Sequence, residues 1–563
     1  MSLFGSIQMA GNSLRSNEIA LQVIGQNIAN ANTPGYIREE VDLATAPAQR
    51  KGGLILGLGV RVRAVVQKID LFLEQRLRGS VSDKAAAETT EQTYSQLEGL
   101  LGELGDTDLS TAMNNFFGSI AEILNQPESR SVRNLAVLQG YTLAQNIRRM
   151  SERAQTLVDD LDKRVQGMAK DINRLVSEIR TLNVRIAETE GGNTSGSDAV
   201  GLRDQRQVAL ENLAKLIDIR VVEQPSGGVV VYSGGDFLVY EGVMRQVEPV
   251  LDLESGKFFI HLSETDSKLQ PASGQLKGLY EARDQVLGGF RNDLDQFSAT
   301  LIFEFNKLFA SGQGMTGYSE LTSQYAVDGA NLPLDQAGLK FSPQNGSFQV
   351  LIYNQKTRLT QTTNIKVDLN GIDNETNLSS LAAALDAVDG LRAEITGDRR
   401  LKLSVESADQ QFSFANDTSF VLAALGLNTF FTGSSARDIN VNQAVRSDPS
   451  LFAASRGGIG ADTDTAVQLA AFLDRPLDTQ RGDSIGVIYN RLAARVTQGS
   501  TIAKAEADGA RIFNLTLSGQ KLATSGVNVD EEALKMIAYQ RTYQASARYI
   551  SVLTQLFEIL VNI

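Results

Sequence analysis

The sequence predicts a mainly α chain with β-rich inserts: terminal helices forming a coiled-coil domain, an elongated helical body, and a projecting α+β outer domain. Three observations predict it. Both ends of the 563-residue chain carry apolar residues in steps of four and three. Much of 81–190 and 276–308 keeps the same helical period. After Gly312 the pattern changes to short alternating strands. A chain of this length is expected to build more than one core.

At the N-terminus, Leu3, Ile7, Ala10, Leu14, Asn17, Leu21, Ile24 and Ile28 fall in one register, with Asn17 the one polar member. That is a narrow two-helix seam, in which a single buried Asn can fix register. At the C-terminus, Val529, Glu532, Met536, Tyr539, Tyr543, Ser546, Ile550, Leu553, Phe557 and Leu560 follow the same rule, and the pattern runs to Ile563. Asn528 is placed to cap this helix, with Glu531 as the second half of a capping box. Either stripe alone would suit a helix docked on a globular core. Two stripes at opposite ends of one chain most simply pair with each other. An isolated pair is marginal in water and leaves apolar faces wet. The ends are therefore expected to lock by packing between subunits.

The N-terminal helix stops abruptly in NIANANTPGY, through Asn27, Asn30, Asn32, Pro34, Gly35 and Tyr36. Asn32 suits the left-handed residue at a helix end. Proline holds Thr33 extended, and Pro34-Gly35 fits the centre of a type II turn. An extended segment follows, with Ile37, Val41 and Leu43 on one face and Arg38, Glu40 and Asp42 on the other. Asn27 and Asn30 lie one turn apart, and their amides are able to donate and accept across subunits.

In the interior, Ile147, Met150, Ala154, Leu157, Leu161, Val165, Met168, Ile172, Leu175, Ile179, Leu182 and Ile186 step by three and four. Consecutive fours at 157, 161 and 165 form a stutter. GGNTSGSD (191–198) breaks the helix, and a second helix over 202–217 is expected antiparallel to the first. Residues 219–262 read as strands, with Ser-Gly-Gly turns at 226 and 233, and 276–308 as one long helix. Short strands then dominate, with a helix over 378–388 after Asn377, until AVQLAAFLDRPL and IGVIYNRLAARV return to helical period. The predicted domains are 1–45 with 522–563 for terminal assembly, 46–312 with 460–521 for the body and its β insert at about 219–262, and 313–459 for the outer domain. This nesting brings both termini to one pole.

Composition excludes much chemistry. With no cysteine and one histidine, the chain has no disulfide, no thiolate nucleophile, no cysteine zinc site and no two-imidazole site. His261, in FFIHLSE, reads as an ordinary strand residue. Gly57-Leu-Gly59 lacks the third glycine of a dinucleotide loop, and Asp462-Thr-Asp-Thr lacks the rest of a calcium loop. No catalytic, cofactor-binding or metal residue is assigned, and no cofactor is expected. A net charge of -13 without a basic stripe argues against nucleic acid and anionic membranes. No stretch is long and apolar enough for a membrane span, and the N-terminus lacks the pattern of a cleaved signal peptide.

NIANANTPGY behind an N-terminal heptad resembles the signature of the bacterial flagellar axial proteins. Rod and hook members usually carry a Thr-Thr-Gly-Phe-like ending here. The Pro34-Gly35-Tyr36 form resembles the hook-associated members of the hook–filament junction. SGVNVDEEALKMIAYQRTYQASARYISVLTQLFEILVNI resembles their closing segment. LGLGVRVRAVVQKIDLFLEQRLRGS (56–80) is similar to a family pattern of Gly-x-Gly-Val followed by Asp70, Phe72, Leu73 and Gln75, and GLRDQRQVALENLAKLIDIRV (201–221) to a helix of the same proteins. The resemblance implies a non-catalytic structural subunit joining hook to filament, its terminal helices forming an inner coiled-coil tube. It implies partners: further copies of the chain, the hook protein, the second hook–filament junction protein, and an export chaperone at the C-terminal helix. It also implies an extracellular location, reached unfolded through the flagellar type III apparatus. A hook or distal-rod subunit is the nearest alternative, and a secreted adhesin binding through 313–459 the more distant one.

Overall fold

The computed structural model describes every residue except 1–2, 52–53, 103–107, 192–195, 373–374, 461 and 562–563. Helices take 54% of the chain and strands 17%, so it is mainly α with β inserts. Part of the Gly-rich break at 191–198 lies outside the described residues, as do the last two residues of the chain, to which the C-terminal helical pattern is expected to run. Two compact units form, each from segments far apart in sequence: Met1–Thr93, Asp159–Arg283 and Thr501–Ile563 make the first, Tyr94–Val158 and Asp284–Ser500 the second.

In the first unit, the N-terminal helix Leu3–Asn30 leads through a turn into strand Glu39–Thr45, which pairs antiparallel with Val60–Gln67. A bulge at Arg63 of the partner strand shifts the register between Asp42 and Leu43, and Leu43 is exposed where Ile37 is buried. Asp70 then starts helix Leu71–Gly102, its carboxylate accepting from the N–H groups of Phe72 and Leu73, both at 3.0 Å.

The helix Arg130–Thr189 buries a stripe that, within this unit, runs Leu161, Val165, Met168, Ile172, Leu175, Ile179, Leu182 and Ile186. Further back the stripe passes through Val158 rather than Leu157, so the two consecutive fours fall at Met150, Ala154 and Val158. A shorter helix, Val200–Leu216, follows. The β insert extends past 262 to Lys268 and divides into two antiparallel sheets. One takes Arg220–Glu223, Val229–Ser233, Asp236–Tyr240 and Val243–Met244 in sequence order. In the other, Lys257–Leu262 is central between Val247–Asp252 and Ser267–Lys268.

Each sheet is fastened to the long helix by an asparagine amide. Asn183 accepts from the Val229 N–H (3.1 Å) and donates to its carbonyl (2.8 Å), and Asn173 does the same for Val247 (2.9 and 2.7 Å).

The second unit holds an aromatic core that periodicity does not predict. Phe116, Phe305, Phe309, Phe430, Phe431, Phe452 and Phe472 are fully buried and meet with ring centroids 4.8–6.2 Å apart. Gly140 admits them, since a Cβ there would lie 2.5 Å from Phe430 and 2.8 Å from Phe116. The expected helix 276–308 is not one α-helix. Gln275–Glu281 passes into a π segment, Ala282–Leu287, before Gly288–Ala310.

The alternating segments of the second unit form two three-stranded sheets. Gly346–Asn354 lies between Thr360–Val367 and Gln410–Ala415; Leu401–Val405 lies between Glu320–Thr322 and Leu391–Ile395. Phe348, Val350, Ile352, Ile365, Val367, Leu391, Leu401 and Leu403 enter one hydrophobic cluster, as their alternation predicts. Helix Leu378–Asp386 packs into it behind a capping box of Asn377 and Ser380.

Truncating the fully buried Ile179 to Ala is expected to cost about 2–5 kcal/mol. Hydrogen exchange at the amides of 172–186 checks this, with faster exchange the expected outcome.

Candidate assembly site

The terminal helices, Leu3–Asn30 and Val529–Val561, pair antiparallel within the first unit. Three contacts fix the register. Phe4 meets Phe557 edge-on at 5.7 Å, the Ser13 and Ser546 hydroxyls are 3.0 Å apart, and Asn27 donates to Glu532 at 3.0 Å.

The line dried by this pairing is not the line of largest side chains. On the N-terminal helix it runs Ser6, Ala10, Ser13, Asn17, Ala20, Ile24 and Asn27, all buried except the half-buried Ser13. Of the predicted seam, only Ala10, Asn17 and Ile24 lie on it. Leu3, Ile7, Leu14, Leu21 and Ile28 sit on the flank, half-buried. Small residues let two helix backbones approach closely, so they take the contact line and push the branched side chains aside.

On the C-terminal helix only Glu532 and Leu553 are buried. Met536, Tyr539, Ile550 and Phe557 are half-buried, whereas Val529, Tyr543 and Leu560 are exposed. On the opposite face lie two short exposed apolar groups, Leu534 with Ile537 and Val552 with Leu556 and Ile559, separated by the exposed Arg541 and Arg548; Leu534 is 69% and Ile559 58% exposed. The helix therefore carries apolar groups on two faces, one of them uncovered.

The helix stop is held by a polar knot around Asn27. Its amide donates to the Glu39 carbonyl and the Glu532 carboxylate, both at 3.0 Å. Its oxygen accepts from the Tyr36 hydroxyl and the Glu39 N–H, both at 2.9 Å. All four hydrogen-bonding positions are used inside the chain, so Asn27 is not available to neighbouring subunits as its sequence position suggests. Asn30 bonds within its own turn, donating one N–H to the Gln26 carbonyl and accepting from Thr33.

Asn32 is not the left-handed residue; Gly35 is, at φ +81°. The Tyr36 N–H closes the type II turn onto the Thr33 carbonyl at 3.2 Å. Gly35 is required twice over, since a Cβ there would also lie 2.4 Å from Val208 on helix Val200–Leu216. The predicted capping box forms only by half. Asn528 accepts from the Asp530 and Glu531 N–H groups, but the Glu531 carboxylate turns to Arg38 at 3.4 Å.

Arg38 completes the knot, with its buried guanidinium 2.7 Å from Glu532. Burial alone would raise the Glu532 pKa, but the hydrogen bonds from Asn27 and Lys535 and the charges of Lys535 and Arg38 hold it below the usual carboxylate range. Two neighbouring carboxyls move the other way. Burial raises Glu39, and it lifts Asp204, bonded to Gln67 at 2.6 Å, to about 7. The role of Arg38 and Glu532 is missed by periodicity, although Glu532 is the one charged residue in the C-terminal seam, which is a signal in itself.

Three family profiles match the chain in order. They are described as flagella basal body rod protein (residues 7–36), flagellar hook-associated protein FlgK helical domain (94–322), and flagellar basal body rod FlgEFG protein C-terminal (519–563). Flagellar hook-associated protein 1 of Bacillus subtilis is 23% identical over 573 residues, covering 100% of this chain and 98% of that protein. The Salmonella typhimurium protein of the same name is 25% identical over 585 residues, covering 99% of each, and the Escherichia coli one is 22% identical over 574 residues, again 99% of each. The solved structure of the flagellar hook junction protein FlgK from Burkholderia pseudomallei is 15% identical, with a TM-score of 0.50 over 80% of this chain and 100% of that one, a likeness of fold.

Two expectations follow from the knot. Tyr36→Phe leaves Asn27 one donor short and is expected to cost about 1 kcal/mol, whereas Glu532→Ala leaves the buried Arg38 only the longer contact to the exposed Glu531 and costs about 3 kcal/mol; thermal denaturation of the monomer checks both. Because the folded Glu532 pKa is depressed, its contribution is present above the unfolded carboxylate value and is lost as pH falls through the folded one. Asp204 has the opposite sign. Its raised folded pKa makes the folded state bind more protons between about 4 and 7, so stability falls as pH rises through that window. Asp204→Asn is expected to flatten that slope in a melting series from pH 4 to 8; an unchanged slope would count against the assignment.

Proposed function

We infer that this chain, which belongs to the family of flagellar hook-associated protein 1, is a structural subunit of the bacterial flagellum at the junction of hook and filament. One observation carries the assembly reading: the C-terminal helix is packed on one face and exposes apolar groups at both ends of the other. Each exposed Leu, Ile or Val on that face gains roughly 1.5–3 kcal/mol when dried. A neighbouring terminal helix offers the matching surface, in the half-buried Leu3, Ile7, Leu14, Leu21 and Ile28 flank.

Mechanistically, self-assembly completes the fold. The terminal pairs of adjacent copies pack into a coiled-coil layer, and the three-part division at 45/46, 312/313, 459/460 and 521/522 separates assembly, body and outer parts. The likeness over whole chains to proteins named hook-associated favours the junction over a hook or distal-rod subunit. The contacts expected in the flagellum are further copies, the hook protein and the second junction protein. A cytoplasmic export chaperone is expected at the uncovered face of the C-terminal helix, before passage through the type III apparatus.

The test is Leu556→Glu, which changes an exposed side chain and so leaves the monomer fold alone. The melting temperature of the monomer should stay within a few degrees of wild type, while electron microscopy shows hooks without filaments. Filaments attached at normal frequency would sink the reading.

A further inference from the structure

We propose that each copy carries a knob and a socket for the next: the hairpin tip at Leu253 of one copy seats in a cavity beside Arg78 and Arg206 of another. This rests on the reading that copies of the chain assemble. The cavity, of about 310 Å³, lies in the first unit where the start of helix Leu71–Gly102 faces helix Val200–Leu216. Ile37, Leu71, Phe72 and Leu210 give it apolar walls. The two stretches 56–80 and 201–221, singled out in sequence and unused by the terminal pairing, thus converge on one site.

Two arginines in its lining are 95% buried and, among the described residues, have no carboxylate within ion-pair distance. Arg206, 5% exposed, donates only to the Asn183 side chain (3.1 Å) and the Gly227 carbonyl (2.7 Å). Arg78, 5% exposed, donates to Gln207 at 3.3 Å, and its Nε has no partner. The carboxylate one turn before it, Glu74, is taken by Lys521 and Gln207. Arg203 is satisfied by Glu190, Asp198 and Glu223. The one carboxylate in the lining, Glu223, pairs with Arg203, so the cavity offers apolar walls and two guanidiniums without an ion-pair partner, which suits an apolar side chain next to a carboxylate.

The chain presents that pair at the turn between strands Val247–Asp252 and Lys257–Leu262. Leu253 is 90% exposed, the largest value among the exposed large apolar residues described. Asp252 is spent inside the turn, accepting from the Glu254 N–H (3.0 Å) and the Ser255 hydroxyl (2.7 Å), which leaves the exposed Glu254 carboxylate to reach outward.

The occupant is a second copy because the tip cannot reach its own socket. The hairpin lies against the long helix at Asp162, which bonds the Phe258 N–H at 3.4 Å, and its tip projects beyond that point. The socket lies at Asn183, 21 residues along the same helix, or about 30 Å away. A knob and a socket at two ends of one unit make a heterologous contact that runs head to tail through successive copies instead of closing on a dimer.

The chain has no cysteine, so the contact is readable by disulfide trapping in the full-length protein. The double variant Leu253→Cys with Phe72→Cys places one thiol on the tip and one at the socket rim, where Phe72 is 72% exposed. Oxidation of detached flagella is expected to give disulfide-linked species larger than dimers, with neither single variant exceeding a dimer. Adding Glu254→Arg is expected to cut the yield at least fivefold. Failure of the double variant to exceed a dimer, whether or not filaments attach, overturns the contact, and an unchanged yield with Glu254→Arg overturns its charge component. Normal attachment without the ladder removes this contact alone, since Leu556→Glu tests the assembly reading on a different surface.

Discussion

The buried ion pair of Arg38 and Glu532, with Asn27 between them, sets the geometry on which the terminal assembly surface depends. A carboxylate in a helix seam is costly to dry unless its charge and lone pairs are answered, and here they are answered by a cation and an amide from fixed backbone positions. Sliding one terminal helix past the other by a single turn would strand all three groups. The apolar residues of the pair do not enforce one register so strictly, because a heptad of Leu and Ile repeats itself after seven residues. Polar satisfaction selects among the alternatives that apolar packing leaves nearly equal. Pro34, Gly35 and Tyr36 belong to the same device, since the turn returns Tyr36 and Glu39 to the Asn27 side chain.

How much of this was legible in the sequence follows from the range of each interaction. The terminal helices, the Pro-Gly turn and the alternating strands of 346–405 follow from period and turn chemistry, both local. The choice of contact line does not. Period places Leu3, Ile7 and Leu14 on the seam, but backbone approach is decided by the smallest residues, and Ser6, Ala10 and Ala20 win it. The partners of Asn27 and Glu532 were equally hidden, because they lie 12 and 505 residues apart along the chain and no spacing rule connects them. The same holds for the phenylalanine core, whose rings come from separate segments that each look unremarkable alone. The π segment at 282–287 departs from the expected pattern by one widened turn, which period-based reading smooths over.

The two faces of the C-terminal helix show how a chain can fold and still leave association unfinished. Its inner face is anchored by Glu532 near one end and Leu553 and Phe557 toward the other, with half-covered residues between. Its outer face carries apolar residues toward both ends, Leu534 and Ile537 at one and Val552, Leu556 and Ile559 at the other, that nothing described covers. A fully polar outer face would end the process at the monomer, and a fully dried inner face would leave little free energy for a neighbour to add. The observed arrangement lies between, so drying the remaining surface and firming the helix pair become one event.

The paired amides of Asn173 and Asn183 have a mechanical meaning. Each grips both the N–H and the carbonyl of a single strand residue, and ten residues of helix, about 15 Å, separate the grips. A sheet held in this way cannot creep along the helix, because a shift of one residue would swing its amide about 100° around the axis. Tension along that helix would be borne by both sheets together, in the manner of rungs bolted to one rail.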